Sequence, residues 1–593
     1  MRTSQKADRS RLIKAALQQI PCDLTVENVR FVNVFTGEIY PASVDILDGT
    51  VVRVRELGED TQLAAKQVYD GQDAYLIPGF IDTHVHVEST MMIPQNLSRA
   101  IVPWGTTTVC TDPHEIANVM GVDGVKFMLA DGKRSALRHY VLAPSCVPSV
   151  PGMESTGAEL HAKEVGEMLD LDDCVGVAEI MDFVNVIKDE HRMHTIIGEG
   201  IGRKAYLQGH APLLTGKDLA AYMLAGPRSD HESQTASEVR EKLRNGMHVN
   251  LRASSLIDDL EALLQGFDGH KWKDFASFCT DDVHAKDLLE EGHINRVVAK
   301  AIAAGMDSVE MIKLATLNAA REYGFDDLGA IAPGYLADMQ LVRSLDLKNR
   351  PEAVFILGQL VAKDGEYVGA DAFGEVPEFP NTVDIPQIKS EKDFLLKVPA
   401  EAVDEVMVAV LVPQEMSVFN DIEWMKLPVK DGVVNLDGRE DLCFAAVVNR
   451  YGNGKMTIAV MKDRGVKEGA YGSTISHDSH NLTILYKDVA DAFLVARTLA
   501  EAGGGISVAR AGKVLATLEL PVAGLMSMLP VEALSIEVDK TEKAVQAVCG
   551  EGTSLLVAAI LALACLPCIV LSDFGIVDGL NQQIIEGFKL VEK

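Results

Sequence analysis

The sequence predicts an α/β protein: a (β/α)8 barrel, two pieces of one small β-domain on its flanks, and a C-terminal domain of mixed strands and helices. Three observations carry this. Between residues 77 and 325, eight short β-rich runs alternate with helical stretches, and about 250 residues is the usual length of such a barrel. Short apolar runs with turn signals lie on both sides, at 21–75 and again from Gly334. From about residue 373 a Pro- and acid-rich stretch gives way to mixed elements that run to Lys593. The expected division is 1–76 and 326–372 for the β-domain, 77–325 for the barrel and 373–593 for the C-terminal α+β domain.

The first twenty residues carry Arg2, Lys6, Arg9, Arg11 and Lys14 but no apolar core of signal-peptide length, so they read as an amphipathic helix. Asp8 weighs against the alternative, a transit peptide. Val29–Phe35, Ala42–Leu47 and Val51–Val54 are strand-like, and Asp48-Gly49 between two of them is a hairpin signal. Gly334–Val342 and Ala353–Val361 repeat that character after the barrel. The candidate barrel strands are Gly79–Val87, Thr107–Thr111, Tyr140–Ala143, Val175–Ile180, Leu207–His210, Gly226–His231, His248–Arg252 and Ser277–Thr280. Residues 373–395, with Pro377, Pro380 and Pro386, read as a linker. Leu555–Leu571 is the one stretch of membrane-spanning length. It is broken by Pro567 and reads as a buried helix followed by a strand at Cys568–Leu571.

Composition narrows the function. Hydrophobic residues make up 47% of the chain, enough for large cores. The net charge of −31 repels phosphate backbones and anionic membranes, which argues against nucleic acid and membrane partners and for a small-molecule substrate. Nine thinly spread cysteines read as reduced thiols of a cytoplasmic protein. Cys565-Leu-Pro-Cys568 lies in an apolar run with no second pair to complete a zinc site, so it reads as buried thiols.

Chemistry concentrates at the ends of the candidate strands. His84 and His86 follow an apolar run. On a strand they share a face about 7 Å apart at the backbone, within reach of one ion at roughly 2.0–2.2 Å per bond. Alone, a His-x-His pair is more often an ordinary half-buried strand. Here Asp112, Glu179, His210, His231 and Asp281 also end apolar runs, where barrel enzymes keep their chemistry. A carboxylate closing a run as apolar as Val175-Gly-Val-Ala needs a partner, because a buried unpaired charge is costly. Asp282 has a competing reading as a helix N-cap. Together, four histidines and two carboxylates suit two divalent ions about 3.5–4 Å apart, bridged by Glu179 and a hydroxide. No thiolate is among the donors, so Mn²⁺, Fe²⁺ and Zn²⁺ suit them alike.

Pro-Gly-Phe-Ile-Asp-Thr-His84-Val-His86 resembles the first-strand signature of the amidohydrolase superfamily. Val-His-Val-Glu88-Ser89-Thr-Met-Met, Thr-Asp112-Pro-His114-Glu115, Gly-His210-Ala-Pro, Ser-Asp-His231-Glu232, Thr-Asp281-Asp282 and the late His477-Asp-Ser-His480-Asn481 resemble the bacterial adenine deaminase family. The resemblance runs from about residue 25 to the C-terminus. It implies a β-sandwich split across both flanks, a distorted (β/α)8 TIM barrel and an additional C-terminal α+β domain. It also implies hydrolysis of adenine to hypoxanthine and ammonia in purine salvage. His84, His86, Glu179, His210, His231 and Asp281 match its metal ligands, and a binuclear site with Mn²⁺ or Fe²⁺ is implied. Many superfamily members carry a carbamylated lysine where this chain has Glu179, which argues against dihydroorotase-like hydrolases. Large enzymes of the superfamily are often dimers or larger, so a homo-oligomer is expected.

In the expected mechanism Asp281 takes the proton of the attacking hydroxide and Glu115 is the second acid/base group, with Asp112 and Glu232 as rivals. Ser89, His114 and Asn118 are expected to line the purine site. The His477–Asn481 cluster either caps that site or satisfies hydrogen bonds in a domain core. His86-Val-Glu88 fits half of the cytidine-deaminase zinc signature, but Pro567-Cys568 is followed by Ile-Val-Leu, so the other half is missing. Two other functions compete: an amidohydrolase acting on another aminopurine or a cyclic amide, and a non-catalytic scaffold relative, which should have lost metal ligands.

Overall fold

The structure, a computed structural model, describes residues 8–56, 58–59, 63–255, 258–369, 377–414, 420–462, 465–551 and 553–591. The expected boundary at 372/373 lies outside the described residues.

Eight parallel strands hold the centre. Strands β1 (Phe80–Val85), β2 (Thr106–Thr111), β3 (Arg138–Ala143), β4 (Cys174–Ile180) and β5 (Tyr206–Gly209) form one sheet in sequence order, curled as a half-barrel. Strands β6 (Ser229–Asp230), β7 (His248–Arg252) and β8 (Ala276–Cys279) form a second. The β-branched run of β2 and the apolar runs of β3 and β4 are buried on both faces, as parallel strands under helices require. The two sheets touch at both seams. Arg228 N–H donates to Leu207 O at 3.0 Å, Asp281 N–H donates to His84 O at 3.0 Å, and His86 N–H donates to Asp281 O at 3.2 Å. Connecting helices start where side chains offer caps, as at Asp182, Glu190 and Thr235.

Strands from both flanks join in one path of eight. Its seam is the antiparallel pairing of Gln67–Pro78 with Met339–Val342, which places the chain before and after the barrel in one sheet. The expected hairpin is present: Leu47 pairs with Thr50 across Asp48 and Gly49, both at positive φ (49° and 73°).

The residues from 405 onward build a ten-stranded sheet, with helices Val489–Ala502 and Val531–Cys549 packed on it. It is joined closely to the parallel strands. Met91, Met92 and Leu97 share a core with Leu520, Leu525, Val531 and Leu534, and the Asn96 amide donates to Met528 O and Leu529 O, each at 3.0 Å.

Two expectations are corrected. Residues 555–568 form no helix; they are successive turns, with Val557, Ala559 and Leu561 N–H each bonding three residues back, and the strand that follows is Ile569–Ser572. The sixth strand is two residues long, and His231, which follows it directly, lines the cavity. Cys565 and Cys568 are buried free thiols, as expected. No helix among the described residues is long and apolar enough to cross a membrane.

Candidate metal centre and active site

The end of β1 sets the site. His84 Nδ1 lies 2.9 Å from Gln208 Oε1, and the Gln208 amide nitrogen donates to Thr83 O at 3.2 Å and Tyr323 OH at 3.0 Å. Gln208 therefore presents its oxygen, and the His84 ring proton sits on Nδ1. His86 Nδ1 donates to Asp112 O at 3.0 Å. Both Nε2 lone pairs are thus free, and they face each other at 3.1 Å in a buried setting. Two lone pairs repel unless a cation lies between or beside them. Donors held roughly 2.0–2.2 Å from a common ion stand about this far apart.

Glu179, closing β4, divides its carboxylate. Oε1 lies 3.7 and 3.4 Å from the Nε2 atoms of His84 and His86. Oε2 lies 2.6 Å from His210 Nδ1 and 3.2 Å from His231 Nε2. Asp281 Oδ1 completes the first group at 3.5 and 3.2 Å from His84 and His86. Asp281 follows β8 with φ of 58°, a left-handed conformation rare outside glycine, fixed by its two backbone bonds to β1. All six expected ligands therefore meet. Burial alone would raise the carboxyls of Glu179 and Asp281. His231 and His210 hold the first well below the carboxylate range, and Arg252, His84 and His86 hold the second.

This donor set fits divalent cations. The sets His84/His231/Asp281, Glu179/His210/His231 and His86/Asp112/His114/Glu179 each gather within 4.8 Å, all nitrogen and oxygen. His231 Nδ1 is buried without a hydrogen-bond partner among the described residues.

The helix His114–Gly132 starts beside this group. His114 reaches Asp112 Oδ2 at 3.1 Å and Glu179 Oε1 at 3.5 Å through Nδ1. Glu115 is clasped by two imidazoles from far along the chain: Oε1 accepts from His477 Nδ1 and Oε2 from His480 Nε2. Burial pushes the Glu115 carboxyl up, but His477, His480 and His114 outweigh it and hold it well below its ordinary value. The two readings of the His477–Asn481 cluster are thereby separated, since this loop reaches the site.

The cavity is lined on its polar side by His86, Glu179, His231, Asp281 and His477, and on its apolar side by Met181, Ile560, Leu563 and Leu566. Glu232 lines it too, paired with Arg252, and so does His114. Ser89 and Asn118, expected at the substrate, are not among the lining residues. Ser89 Oγ donates to Asp282 Oδ1 at 2.5 Å, and the Asn118 amide bonds the His114 carbonyl one helical turn back at 2.9 Å. Asp282 accepts that bond instead of capping a helix; the next helix has His284 at its N-cap.

Sequence reasoning missed Arg252. It ends β7, is buried, and donates through NH1 to Glu232 and to Asp281 Oδ2, the latter at 2.8 Å. The available signal was a cation closing the run His248–Arg252, at the same strand-end level as the ligands. Gln208 was also missed, being a residue in mid-strand.

Residues 75–361 match a family model described as the amidohydrolase family, and residues 417–583 one described as the adenine deaminase C-terminal domain. A Carboxydothermus hydrogenoformans protein named adenine deaminase 2 is 36% identical over 570 residues, covering 96% of this chain and 97% of the relative. An adenine deaminase of Desulforamulus reducens is 35% identical over 579 residues, covering 97% of each chain. One of Oleidesulfovibrio alaskensis is 37% identical, covering 96% of each. Among solved structures, a zinc-bound adenosine deaminase from Xanthomonas campestris is 18% identical with a TM-score of 0.43, covering 59% of this chain and 94% of that one.

Proposed function

This chain belongs to the adenine deaminase family of amidohydrolases, and from that premise we propose how its residues hydrolyse adenine to hypoxanthine and ammonia. The observation that carries the function is the near-full-length match to proteins of that name. What supports the residue roles is the convergence of four imidazoles and two carboxylates, all but His84 lining one cavity. We further propose that the two parallel sheets close as one distorted (β/α)8 barrel (77–325), that the flank strands (1–76 and 326–372) pack as a β-sandwich, and that 373–593 is an additional α+β domain.

Deamination needs an oxygen nucleophile at C6, a base for its proton, and protons for the ring and for the departing amine. In this reading His84, His86, His210, His231, Glu179 and Asp281 hold divalent metal, Mn²⁺ or Fe²⁺ by the family resemblance. Bound there, the metal supplies a water acidified toward neutral pH. Asp281 is the base. One of its oxygens faces the two β1 histidines and the other accepts from Arg252, so it enters the reaction ionised. Arg252 also holds Glu232, which leaves that rival carboxylate paired. Asp112, the other rival, accepts the His114 backbone N–H at 3.0 Å, and its carbonyl fixes His86. Glu115 remains as the carboxylate of the second acid/base group. Both of its oxygens are occupied by imidazoles, so it acts as an ion through them. The apolar wall of Met181, Ile560, Leu563 and Leu566 suits the face of a planar purine and excludes water from it.

The test is hydrolysis after loading with Mn²⁺ or Fe²⁺, read as ammonia release from adenine and guanine and as ring opening of dihydropyrimidines. Adenine is expected to be the preferred substrate by far. Faster ring opening of a dihydropyrimidine, or faster ammonia release from guanine, would overturn the reading.

A further inference from the structure

Resting on that reading, we propose that His477 is a further catalytic residue: its Nε2 meets the purine and delivers a proton to ring nitrogen N1. Three observations on geometry lead there. His477 lines the cavity together with Glu179 and Asp281, on a loop between strands Ala470–Ser473 and Leu482–Tyr486. Its Nδ1 is committed to Glu115 Oε1, while its Nε2 is buried and has no hydrogen-bond partner among the described residues. The orientation is locked by a chain of bonds: Ser476 N–H donates to His480 Nδ1 at 3.2 Å, which puts the His480 proton on Nε2, and that proton is given to Glu115 Oε2. Glu115 can then accept from His477 only through Oε1. An imidazole backed by a carboxylate on Nδ1, with a bare Nε2 in a substrate cavity, is the arrangement of a general acid/base.

The same chain of bonds argues against a third metal at Glu115, His477 and His480, although their atoms gather closely enough for one. The His480 nitrogen facing Glu115 carries a proton and has no lone pair to give. The charged groups around His477 are Glu115, Asp282 and Asp478. Burial pulls the His477 imidazole down, but the charge of Glu115 and its hydrogen bond, with the charges of Asp282 and Asp478, together outweigh it and push the group up to about 9, so a donor proton is in place near neutral pH.

Oxygen adds to C6, the C6–N1 π pair moves onto N1, and the Nε2 proton of His477 follows it. Asp281 passes the proton it took from the attacking oxygen to the amine, and the C6–N bond breaks to release ammonia. The remaining hydroxyl proton, lost as the C6 carbonyl forms, restores His477. The sum is adenine and water to hypoxanthine and ammonia. Glu115 and His480 act through His477 and are positioning residues.

The experiment compares wild type with His477→Ala, His477→Gln, Glu115→Gln and the double variant His477→Ala/Glu115→Gln. The readouts are kcat and KM for adenine, metal content, thermal unfolding, and calorimetric binding of hypoxanthine. His477→Ala is expected to lose about 100-fold or more in kcat with metal content retained. It should also bind hypoxanthine about tenfold more weakly and regain turnover when imidazole is added. The double variant should be no slower than His477→Ala alone. If His477→Ala does not fold, His477→Gln decides, being similar in size but unable to donate an acidic proton. Wild type without adenine turnover overturns the functional reading itself. An active wild type with both His477 variants within about threefold in kcat overturns the role of His477, as does an additive double variant.

Discussion

Glu179 turns one oxygen to His84 and His86 and the other to His210 and His231, so its loss should empty both halves of the centre. Glu179→Ala is expected to lower bound metal, read by elemental analysis, and turnover together; retained metal with full turnover would contradict its placement. Arg252 permits a sharper test. It holds Asp281 ionised, and a base that must be ionised fails as pH falls through its pKa. Removing the cation in Arg252→Met raises that pKa, so the acid limb of kcat against pH should move upward by about one to three units. An unmoved limb would show that Arg252 does not tune Asp281. The six donors were legible because each interrupts or ends an apolar run, where a polar residue is conspicuous. Arg252 shared that position and was overlooked because a terminal cation also suits an exposed strand end. The clasp on Glu115 was not legible, since it depends on how a loop more than three hundred residues away packs.

At the scale of elements, the seam between β5 and β6 positions the later ligands. A Cβ at Gly209 would lie 2.1 Å from Ser229 O, a backbone atom that cannot swing aside. Gly209→Ala should push the two strands apart ahead of His210, costing about 1–3 kcal/mol of stability by thermal denaturation and lowering metal occupancy. Beyond that seam, Asp230 and Lys242 form a fully buried pair at 2.9 Å, with Ser233 and the Ala211 N–H satisfying the remaining carboxylate positions. Lys242 holds the Asp230 carboxyl below its ordinary value against the pull of burial. A depressed carboxylate contributes stability above its unfolded pKa, about 3.9, and loses it as pH falls. Lys242→Met should therefore destabilise by about 3–5 kcal/mol at neutral pH, with a smaller difference in acid. Equal stability of the two chains at pH 7 would contradict this. The strands were legible from their apolar runs to within a residue or two, except the sixth, whose brevity leaves no pattern. Residues 555–568 misled because their Leu- and Ala-rich composition favours a helix. Their packing as the apolar wall, with Ile560, Leu563 and Leu566 at the cavity, overrides that preference.

For the whole molecule, the parallel strands and the C-terminal sheet share one core and one cavity. A chain ended after residue 372 loses His477 and His480 and uncovers Met91, Met92 and Leu97, so it is expected to be inactive and aggregation-prone. A soluble, active truncation would refute the shared site. The alternation of eight runs made the central architecture legible, and the seam joining both flanks was foreshadowed by their like composition. How the last two hundred residues dock was not, because nothing in their local pattern records which apolar face meets Leu97 or Val531. The central claim is that Glu179 joins two histidine pairs into one metal centre that deaminates adenine. Measuring metal stoichiometry alongside adenine-dependent ammonia release tests it most directly. The expected result is about two divalent ions per chain in wild type, with turnover rising as the second is bound and lost in Glu179→Ala. Full turnover at one ion per chain, or undiminished turnover in Glu179→Ala, would contradict it.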